Sequence, residues 1–432
     1  MPAAPTSAPQ TGKGEAQPPA TATPSAASSW FRRHRHRGLQ PWVAAANPLA
    51  VDAGIEILKQ GGKAVDAAVA VQAMLGLVEP QSSGVAGGAF LMYYDAHTGK
   101  VTAFDGREKA PAGAHPDMFL DEHGKPLSYV EAVRSGRSTG VPGVMAMLWS
   151  AHHKFGALHW LELFQPAIRS ASQGFKVPER LAMFLSEGSP FPPTNEVRNL
   201  FSRPDGDIIE EGDLFQNPQY AHTLEAIARD GRALYEGEVA EQIVHTTHQA
   251  PLPGTMTDKD LSSYHAEVSE PLCRPYRGYS VCVPPPPSSG VSLLQMLAIL
   301  DRTDIATRHP SDPQAWFLFA QASRLIYADR DRYVADPRFV PVPVERMLDP
   351  AYVRLRAQLI GDHAGPAPLP GDIPLPRGRD ATTESAGTSH FVVVDADGDV
   401  VSMTTTVESI FGSGRTVGGF VLNNQLTDFS FV

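Results

Sequence analysis

The pattern of apolar and polar positions predicts alternating helices and strands from about residue 42 onward. Asn47 followed by Pro48 is typical of a helix start, because asparagine caps the first turn and proline fits the first helical position. The segment from Ala64 to about Val78 is small and apolar nearly all round, which predicts a buried helix that ends before Pro80. Helical patterns also cover residues 144–153, 160–173, 220–230, 239–247, 291–300 and 312–333.

Strand-forming segments predict two hairpins, one near the start of the chain and one near its end. The first pairs residues 90–95 with 101–105, and a further β segment covers residues 276–283. The second leads from Thr388 through a valine-rich run to an Asp-Gly turn and returns over residues 400–407. Thr388 therefore lies at the start of a strand, directly after Gly387. If the bond between them were cut, Thr388 would carry a free α-amine with a pKa of about 7.7–8.0, suited to act as a base.

Composition sets limits on fold and partners. With 432 residues, 42% of them hydrophobic, the chain is long enough for one large or two packed globular domains. Its formal charge of −11 argues against a nucleic-acid partner. No apolar run approaches the roughly 18 residues that a membrane span needs. We therefore expect no nucleic-acid partner and no membrane span.

Two segments are expected to lack stable structure. Residues 1–41 are rich in Ala, Pro, Ser and Thr and then basic, which predicts a disordered tail. No apolar stretch follows the basic residues, so no signal peptide is recognisable. Residues 366–387 are rich in Pro and Gly and predict a mobile linker.

The cysteines and histidines give weaker signals. Cys273 and Cys282 flank a β segment, where a disulfide is conceivable in an oxidising compartment, but two buried free thiols are the favoured expectation. The histidines show no metal-ligand spacing, so we expect neither a metal nor a cofactor.

Several segments, taken together and in order, resemble the γ-glutamyltranspeptidase (glutathione hydrolase) family of N-terminal-nucleophile hydrolases. The most specific are the Thr-Ser-His-Phe step at residue 388 with its following hairpin, the Phe-Gly-Ser-Gly segment at residue 411 and the Leu-Asn-Asn-Gln-Leu-Thr-Asp-Phe segment at residue 422. The other matching segments are residues 46–50, 84–90, 105–111, 140–143 and 285–290.

The resemblance implies an α+β fold, a four-layer αββα sandwich. It also implies a proenzyme that cuts itself between Gly387 and Thr388. Residues 42–387 would then form the large-subunit region and residues 388–432 the start of the small subunit, and the two fragments would stay associated. Many bacterial members are exported, so the resemblance favours a periplasmic or secreted location, but no signal peptide is recognisable and the location stays open.

Roles for individual residues follow from the same resemblance. Thr388 is expected to be the nucleophile, and Thr406 the second threonine that positions it. The enzyme would cleave the γ-glutamyl amide of glutathione through an ester on Thr388, passing the acyl group to water or to an amino acid or peptide. Arg107 would bind the α-carboxylate of the donor. Its α-ammonium would be bound by Glu408, Gln425 and Asp428.

The chain also departs from the family pattern. Thr388 to Val432 comprises 45 residues, whereas the family's small subunit is several times longer. The downstream Ser-Ser pair and the Gly-Gly pair of the oxyanion hole are not found, and one lost oxyanion donor typically slows catalysis by about 10²–10³. We therefore expect a chain truncated in the small subunit, with the C-terminal part of the core missing and poor processing and turnover.

Two other functions stay open. One is a glutaryl or cephalosporin-type acylase of the same superfamily, which would use Thr388 but need no acceptors for an ammonium group. The presence of Gln425 and Asp428 argues for glutamate instead. The other is a non-catalytic truncated relative, in which the bond between Gly387 and Thr388 stays intact.

Overall fold

The structure, a computed structural model, describes residues 40–374 and 387–431. Short connections join many helices in this region, in keeping with the helical patterns of the sequence. The α-helices are α1 (Pro48–Lys59), α2 (Ala64–Val78), α3 (Tyr129–Arg134), α4 (Val144–Phe155), α5 (Trp160–Leu163), α6 (Gln165–Gln173), α7 (Glu179–Leu185), α8 (Asn195–Leu200), α9 (Pro218–Arg229), α10 (Glu238–Thr247), α11 (Asp258–Ser262), α12 (Gly290–Leu300), α13 (Pro313–Tyr333), α14 (Val344–Met347) and α15 (Pro350–Ala357). Short 3₁₀ turns cover Gly136–Ser138, Ile305–Thr307 and Gln425–Asp428.

One antiparallel sheet of six strands organises the described part of the chain, in the order β1-β9-β10-β2-β3-β6. The hairpin that begins at Thr388 supplies β9 and β10 and therefore lies inside this sheet. Three pairs of shorter strands form separate two-stranded sheets. The strands are β1 (Trp42–Ala44), β2 (Gly88–Asp95), β3 (Lys100–Gly106), β4 (Phe175–Lys176), β5 (Leu214–Phe215), β6 (Glu267–Ser269), β7 (Leu272–Tyr276), β8 (Tyr279–Val283), β9 (Thr388–Val394), β10 (Val400–Thr406), β11 (Thr416–Val417) and β12 (Phe420–Val421).

Helix α2 lies at the centre of the core. All of its residues are buried, and its bounds match the sequence prediction. Its many alanines allow neighbouring backbones to approach closely, so that the helix packs against the face of the large sheet that buries Leu91, Phe391 and Met403. The opposite face of the sheet is more polar, with His390 and Thr404 exposed. The mixture of helices and antiparallel strands matches the predicted α+β class.

The turn between β9 and β10 fixes the far end of the hairpin. The Asp395 carboxylate accepts hydrogen bonds from the backbone N–H groups of Asp397 at 2.9 Å and Asp399 at 3.0 Å. Its other oxygen accepts from the N–H of Ala64 at 3.0 Å, at the first residue of α2. One aspartate thus shapes the turn and caps the central helix, which holds the hairpin in a single register.

Strand register gathers four strand ends at one edge of the sheet. Thr388 at the start of β9 lies opposite Thr406 at the end of β10, and Thr406 lies opposite Gly88 at the start of β2. Gly106 at the end of β3 pairs with the residue after Gly88. Because antiparallel strands alternate in direction, the two threonines and the residue after Gly106 reach the same edge.

Two expectations about local structure were wrong. The helix predicted over residues 160–173 is two helices, α5 and α6, with Phe164 between them. The cysteines are not free: Cys273 and Cys282 form a disulfide. They face each other across β7 and β8 with their Cα atoms 4.1 Å apart, and directly facing residues of an antiparallel pair lie within disulfide reach.

The remaining structural expectations concern the chain's tail, its linker and membrane spans. The tail up to residue 39 and residues 375–386 of the linker lie outside the described residues. The described part of the linker has no helix or strand, yet it is tied to α13: Gly371 N–H donates to Asp329 at 2.8 Å and Ile373 N–H to the Tyr333 hydroxyl at 3.1 Å. Among the helices of residues 40–374 and 387–431, none is both long and apolar enough to cross a bilayer.

Candidate active site

Two hydroxyls and one carbonyl form a chain of hydrogen bonds at this edge of the sheet. The Thr388 hydroxyl donates a hydrogen bond to the Thr406 oxygen at 3.3 Å. The Thr406 hydroxyl in turn donates to the carbonyl oxygen of Gly387 at 2.7 Å. Thr406 Oγ1 also accepts from the backbone N–H of Glu408 at 2.8 Å. Thr406 is only 5% exposed, so its hydroxyl is held in this orientation beside the Gly387–Thr388 bond.

The loop after β10 packs tightly on Gly387. A Cβ atom at Gly387 would lie 2.4 Å from the carbonyl oxygen of Glu408, far closer than atoms can approach. Glu408 itself has φ +79°, a left-handed conformation that is unusual for a residue with a side chain. The tight fit explains why a glycine precedes Thr388 and fixes the position of its carbonyl group.

Arg107 directly follows β3 and is held by its own backbone. Its N–H donates to Asp105 Oδ1 at 2.8 Å, and its carbonyl accepts from the Tyr264 hydroxyl at 2.7 Å. The guanidinium lies 3.6 Å from carboxylate oxygens of both Asp428 and Glu108. The Arg107 side chain remains 26% exposed, so one side of the guanidinium faces solvent.

A cluster of acceptors lies beside Arg107. The Gln425 amide N–H₂ donates to Glu408 Oε2 at 3.2 Å and also to Asp428 Oδ2. The amide oxygen of Gln425 is buried, and none of the described residues donates a hydrogen bond to it. Two carboxylates and an open amide oxygen thus converge next to one guanidinium.

Burial and neighbouring negative charges raise the pKa of Asp428 in this cluster. Desolvation and the neighbouring Glu408 carboxylate raise the pKa of Asp428, while Arg107 lowers it. The Asp428 and Glu408 side chains also share a hydrogen bond, which requires that one of them hold a proton. A bound cation would replace that proton, because it would stabilise both carboxylates in their charged form.

Two buried asparagines, to which no motif assigned a role of their own, hold the acceptor loop in place. Asn423 donates to the carbonyls of Ala86 and Gly140 and accepts from the N–H groups of Gly140 and Gln425. Asn424 Oδ1 accepts from the N–H of Ser409 at 2.8 Å, next to Glu408. Both asparagines belong to the segment that carried the resemblance, so the signal was present in the sequence.

Glu108 also lies in the site, although no motif assigned it a role of its own. Its side chain is fully buried beside Arg107, and burial raises the pKa of its carboxyl group to about 7. The only sequence signal was its place directly after Arg107 in a matching segment.

The structure brings the predicted site residues into one continuous set of contacts. Thr388 contacts Thr406, and Thr406 contacts the backbone of Glu408. The Glu408 side chain contacts Gln425, which contacts Asp428, which faces Arg107. Within the described ranges, no group of three or more His, Cys, Asp or Glu side chains is arranged to hold a metal ion. The arrangement thus links the Thr388 hydroxyl, through hydrogen bonds and close contacts, to two carboxylates, an amide oxygen and a guanidinium.

Known proteins share both the sequence and the fold. The chain is 39% identical over 413 residues to the glutathione hydrolase proenzyme of Bacillus subtilis (strain 168), covering 91% of this chain and 69% of that protein. The crystal structure of Helicobacter pylori γ-glutamyltranspeptidase matches with a TM-score of 0.68 and 31% identity, over 76% of this chain and 93% of that one. The cephalosporin acylase from Bacillus halodurans matches with a TM-score of 0.75 and 27% identity, over 96% of this chain and 74% of that one.

These likenesses confirm the fold expected from the sequence, an α+β fold of the N-terminal-nucleophile hydrolase type. The family model for γ-glutamyltranspeptidase matches residues 50–432, which is most of the chain and includes every site residue described above. The protein belongs to the γ-glutamyltranspeptidase family.

Proposed function

We propose that this protein is a γ-glutamyl hydrolase and transferase that first cuts its own chain between Gly387 and Thr388. The observation that carries the proposal is the Thr406 hydroxyl, which touches both the Thr388 hydroxyl and the Gly387 carbonyl oxygen. A donor at a carbonyl oxygen stabilises the negative charge that develops there when a nucleophile attacks.

Self-cleavage begins when Thr388 Oγ1 attacks the carbonyl carbon of Gly387. The hydroxyl proton passes to the departing amide nitrogen, the C–N bond breaks, and an ester joins Gly387 to Thr388. Water then hydrolyses the ester, which leaves a carboxylate on Gly387 and a free amine and hydroxyl on Thr388. The Thr406 hydroxyl stabilises the oxyanion in both steps.

The mature residue repeats this chemistry on an external amide. The α-amine of Thr388 accepts the proton of the hydroxyl, which attacks the γ-carbonyl carbon of the donor. The proton passes to the leaving amine, and a γ-glutamyl ester remains on Thr388. In hydrolysis, water attacks this ester and releases glutamate. In transfer, the amine of an amino acid or peptide attacks it and receives the γ-glutamyl group. Glutathione is the donor indicated by the name of the Bacillus subtilis relative.

The acceptor cluster supports an α-amino acid head group as the part of the donor that is recognised. Arg107 offers a planar fork to the α-carboxylate. The α-ammonium replaces the shared proton of Glu408 and Asp428 and donates to the open amide oxygen of Gln425. A ligand without an ammonium group leaves the buried amide oxygen of Gln425 without a donor and does not offset the repulsion between the two carboxylates, which costs binding energy.

The second candidate is a glutaryl or cephalosporin-type acylase, and one observation favours it. The cephalosporin acylase from Bacillus halodurans matches 96% of this chain. Its nucleophile chemistry would be the same, so substrates must decide. Rates on γ-glutamyl anilide and glutaryl anilide, which differ only in the α-ammonium group, distinguish the two functions.

The two fragments are proposed to stay together after cleavage. Residues from Thr388 onward supply β9 and β10, and these strands pair with β1 and β2 from the other fragment. Leaving the sheet would expose two ladders of hydrogen bonds and the buried side chains Phe391, Val401 and Met403. The disulfide between Cys273 and Cys282 also supports the periplasmic or secreted location, since disulfides persist in oxidising compartments.

The test follows the purified chain by intact mass spectrometry during incubation. We expect two fragments that meet at Gly387 and Thr388 and that co-elute in size-exclusion chromatography. Thr388→Ala should stay uncut, and the cut protein should release aniline from the γ-glutamyl compound faster than from the glutaryl one. An uncut wild-type chain would support the non-catalytic alternative, and a preference for glutaryl anilide would support the acylase.

A further inference from the structure

Glu108 is a buried acid that the proposed mechanism leaves unused. Its side chain is 0% exposed, and neither carboxylate oxygen accepts a hydrogen bond from another of the described residues. Among residues 40–374 and 387–431, the cation that forms an ion pair with it is Arg107, whose Nη1 lies 3.6 Å from Glu108 Oε2. An anion in such a place is costly unless it is paired and hydrogen-bonded, so Glu108 needs an explanation.

Two glycines make room for the Glu108 side chain. A Cβ atom at Gly88 would lie 2.0 Å from Glu108 Oε2, and one at Gly140 would lie 2.8 Å from Glu108 Cβ. Gly88 is also the cross-strand neighbour of Thr406. The carboxyl group therefore occupies a built space between the backbone next to Thr406 and the guanidinium that faces the donor site.

The surroundings of Glu108 are mostly negative. Burial is the main cause that raises the pKa of Glu108 to about 7, and nearby carboxylates add to it while Arg107 opposes it. Near neutral pH, Glu108 is thus close to the point at which it gains or loses its proton. The titratable groups that face it come from several elements. They are Asp105 in β3, Arg107 directly after β3, Glu408 after β10, Asp428 in the last 3₁₀ turn, and the hydroxyls of Tyr235 and Tyr264.

We propose that Glu108 is a positioning residue for Arg107 that works in its protonated form. With its proton, Glu108 leaves the guanidinium free to bind the α-carboxylate of the donor. Without it, the anion attracts the guanidinium and repels the incoming carboxylate. The inference rests on the proposed function in one respect, namely that the group bound by Arg107 is the α-carboxylate of a γ-glutamyl compound.

A link between the proton and the donor follows. Donor binding favours protonated Glu108, so the contribution of Glu108 to affinity is complete below its pKa and is lost as pH rises through about 7. The acceptors Glu408 and Asp428 act in the opposite direction, because an ammonium ligand favours their charged forms. The two effects are separated by a variant that changes Glu108 alone.

Glu108→Gln keeps the shape of the side chain and is permanently neutral. L-glutamate binding to the self-cleaved wild-type and variant proteins is measured by calorimetry between pH 6 and pH 8. The quantity compared is the ratio of the wild-type dissociation constant to that of Glu108→Gln. We expect this ratio to be near one at pH 6 and about ten at pH 8. Glu108→Asp keeps a titrating group and should retain the pH dependence. Glu122→Gln, at an 86% exposed site, is the matched control and should behave as the wild type does.

A ratio between wild type and Glu108→Gln that stays constant with pH would overturn the inference. So would a folded Glu108→Gln protein that no longer binds glutamate, since that result would show that the anion itself is needed. Failure of the proposed function has a different signature, because neither protein would then bind glutamate at any pH. If Glu108→Gln does not fold, Glu108→Ala takes its place as the permanently neutral variant, and the same change of the ratio with pH is expected.

Discussion

Replacing Thr406 with valine removes one hydroxyl and leaves the shape of the side chain nearly unchanged. That hydroxyl has three partners, at 2.7 Å to the Gly387 carbonyl, 3.3 Å to Thr388 Oγ1 and 2.8 Å from the N–H of Glu408. The shortest of them strengthens as negative charge develops on the carbonyl oxygen. Losing one such donor costs about 2.7–4 kcal/mol of transition-state stabilisation, so self-cleavage should slow by about 10²–10³.

The same substitution also affects stability, through a different bond. The N–H of Glu408 loses its acceptor, which costs about 1–3 kcal/mol if that group stays buried. Urea unfolding of the uncut protein measures this loss, and the time course of fragment formation in intact mass spectra measures the cleavage rate. Thr406→Ser keeps the hydroxyl and should cleave at a rate much closer to that of the wild type.

Thr405 provides a matched control in the neighbouring position. Its side chain is fully buried, and its hydroxyl has no hydrogen-bond partner among the described residues. Thr405→Val should therefore cleave like the wild type without loss of stability. If Thr406→Val cleaved as fast as Thr405→Val, the Thr406 hydroxyl could not be the donor that stabilises the oxyanion, and the mechanism of self-cleavage proposed above would be wrong.

Other predictions concern the donor site, the cleavage site and the disulfide. Arg107→Ala should lower kcat/KM for a γ-glutamyl anilide by roughly 10- to 150-fold, from about 1.5–3 kcal/mol of lost charged hydrogen bonding, with little change in unfolding free energy; unchanged kinetics would refute its role. Gly387→Ala should slow self-cleavage by about tenfold or more, because its Cβ would lie 2.4 Å from the Glu408 carbonyl oxygen and must displace the scissile group; cleavage at the wild-type rate would contradict the tight packing. Replacing Cys273 and Cys282 with serine should lower the unfolding free energy by about 2–3 kcal/mol, and no thiol of the oxidised, unfolded wild type should react with a thiol reagent.

Local sequence patterns account for much of the fold. The helix Ala64–Val78 and the hairpin after Thr388 were predicted because capping residues, turn residues and the spacing of apolar side chains act over short distances. The pairing of Cys273 with Cys282 was missed because it depends on the register of β7 and β8, which no local pattern determines. The break at Phe164 was missed because both halves of the segment carry the same helical pattern.

Some features of the candidate site could likewise be predicted from local sequence, and others could not. Motifs pointed to Thr388, and resemblance supplied partners for it, but only the order of strands explains why Arg107 and Thr388, almost three hundred positions apart, reach the same end of one sheet. Glu108 was overlooked because nothing in the sequence distinguishes a buried glutamate from an exposed one next to an arginine. Its burial depends on the absence of a side chain at Gly88 and Gly140.

Self-cleavage and folding are linked by the geometry of the Gly387 carbonyl. The donor to that carbonyl comes from Thr406, and Thr406 reaches it only when β9 and β10 are paired in the observed register. A slip of one residue would turn every side chain of the hairpin to the other face of the sheet, away from the carbonyl and from the core. In the proposed mechanism, the unfolded chain has the nucleophile but not the oxyanion donor, so we expect cleavage to follow the formation of the sheet. For this reason the fraction of cut chain reports how much protein has reached the native register, and a core substitution that weakens the hairpin should slow cleavage even though it touches no residue of the site.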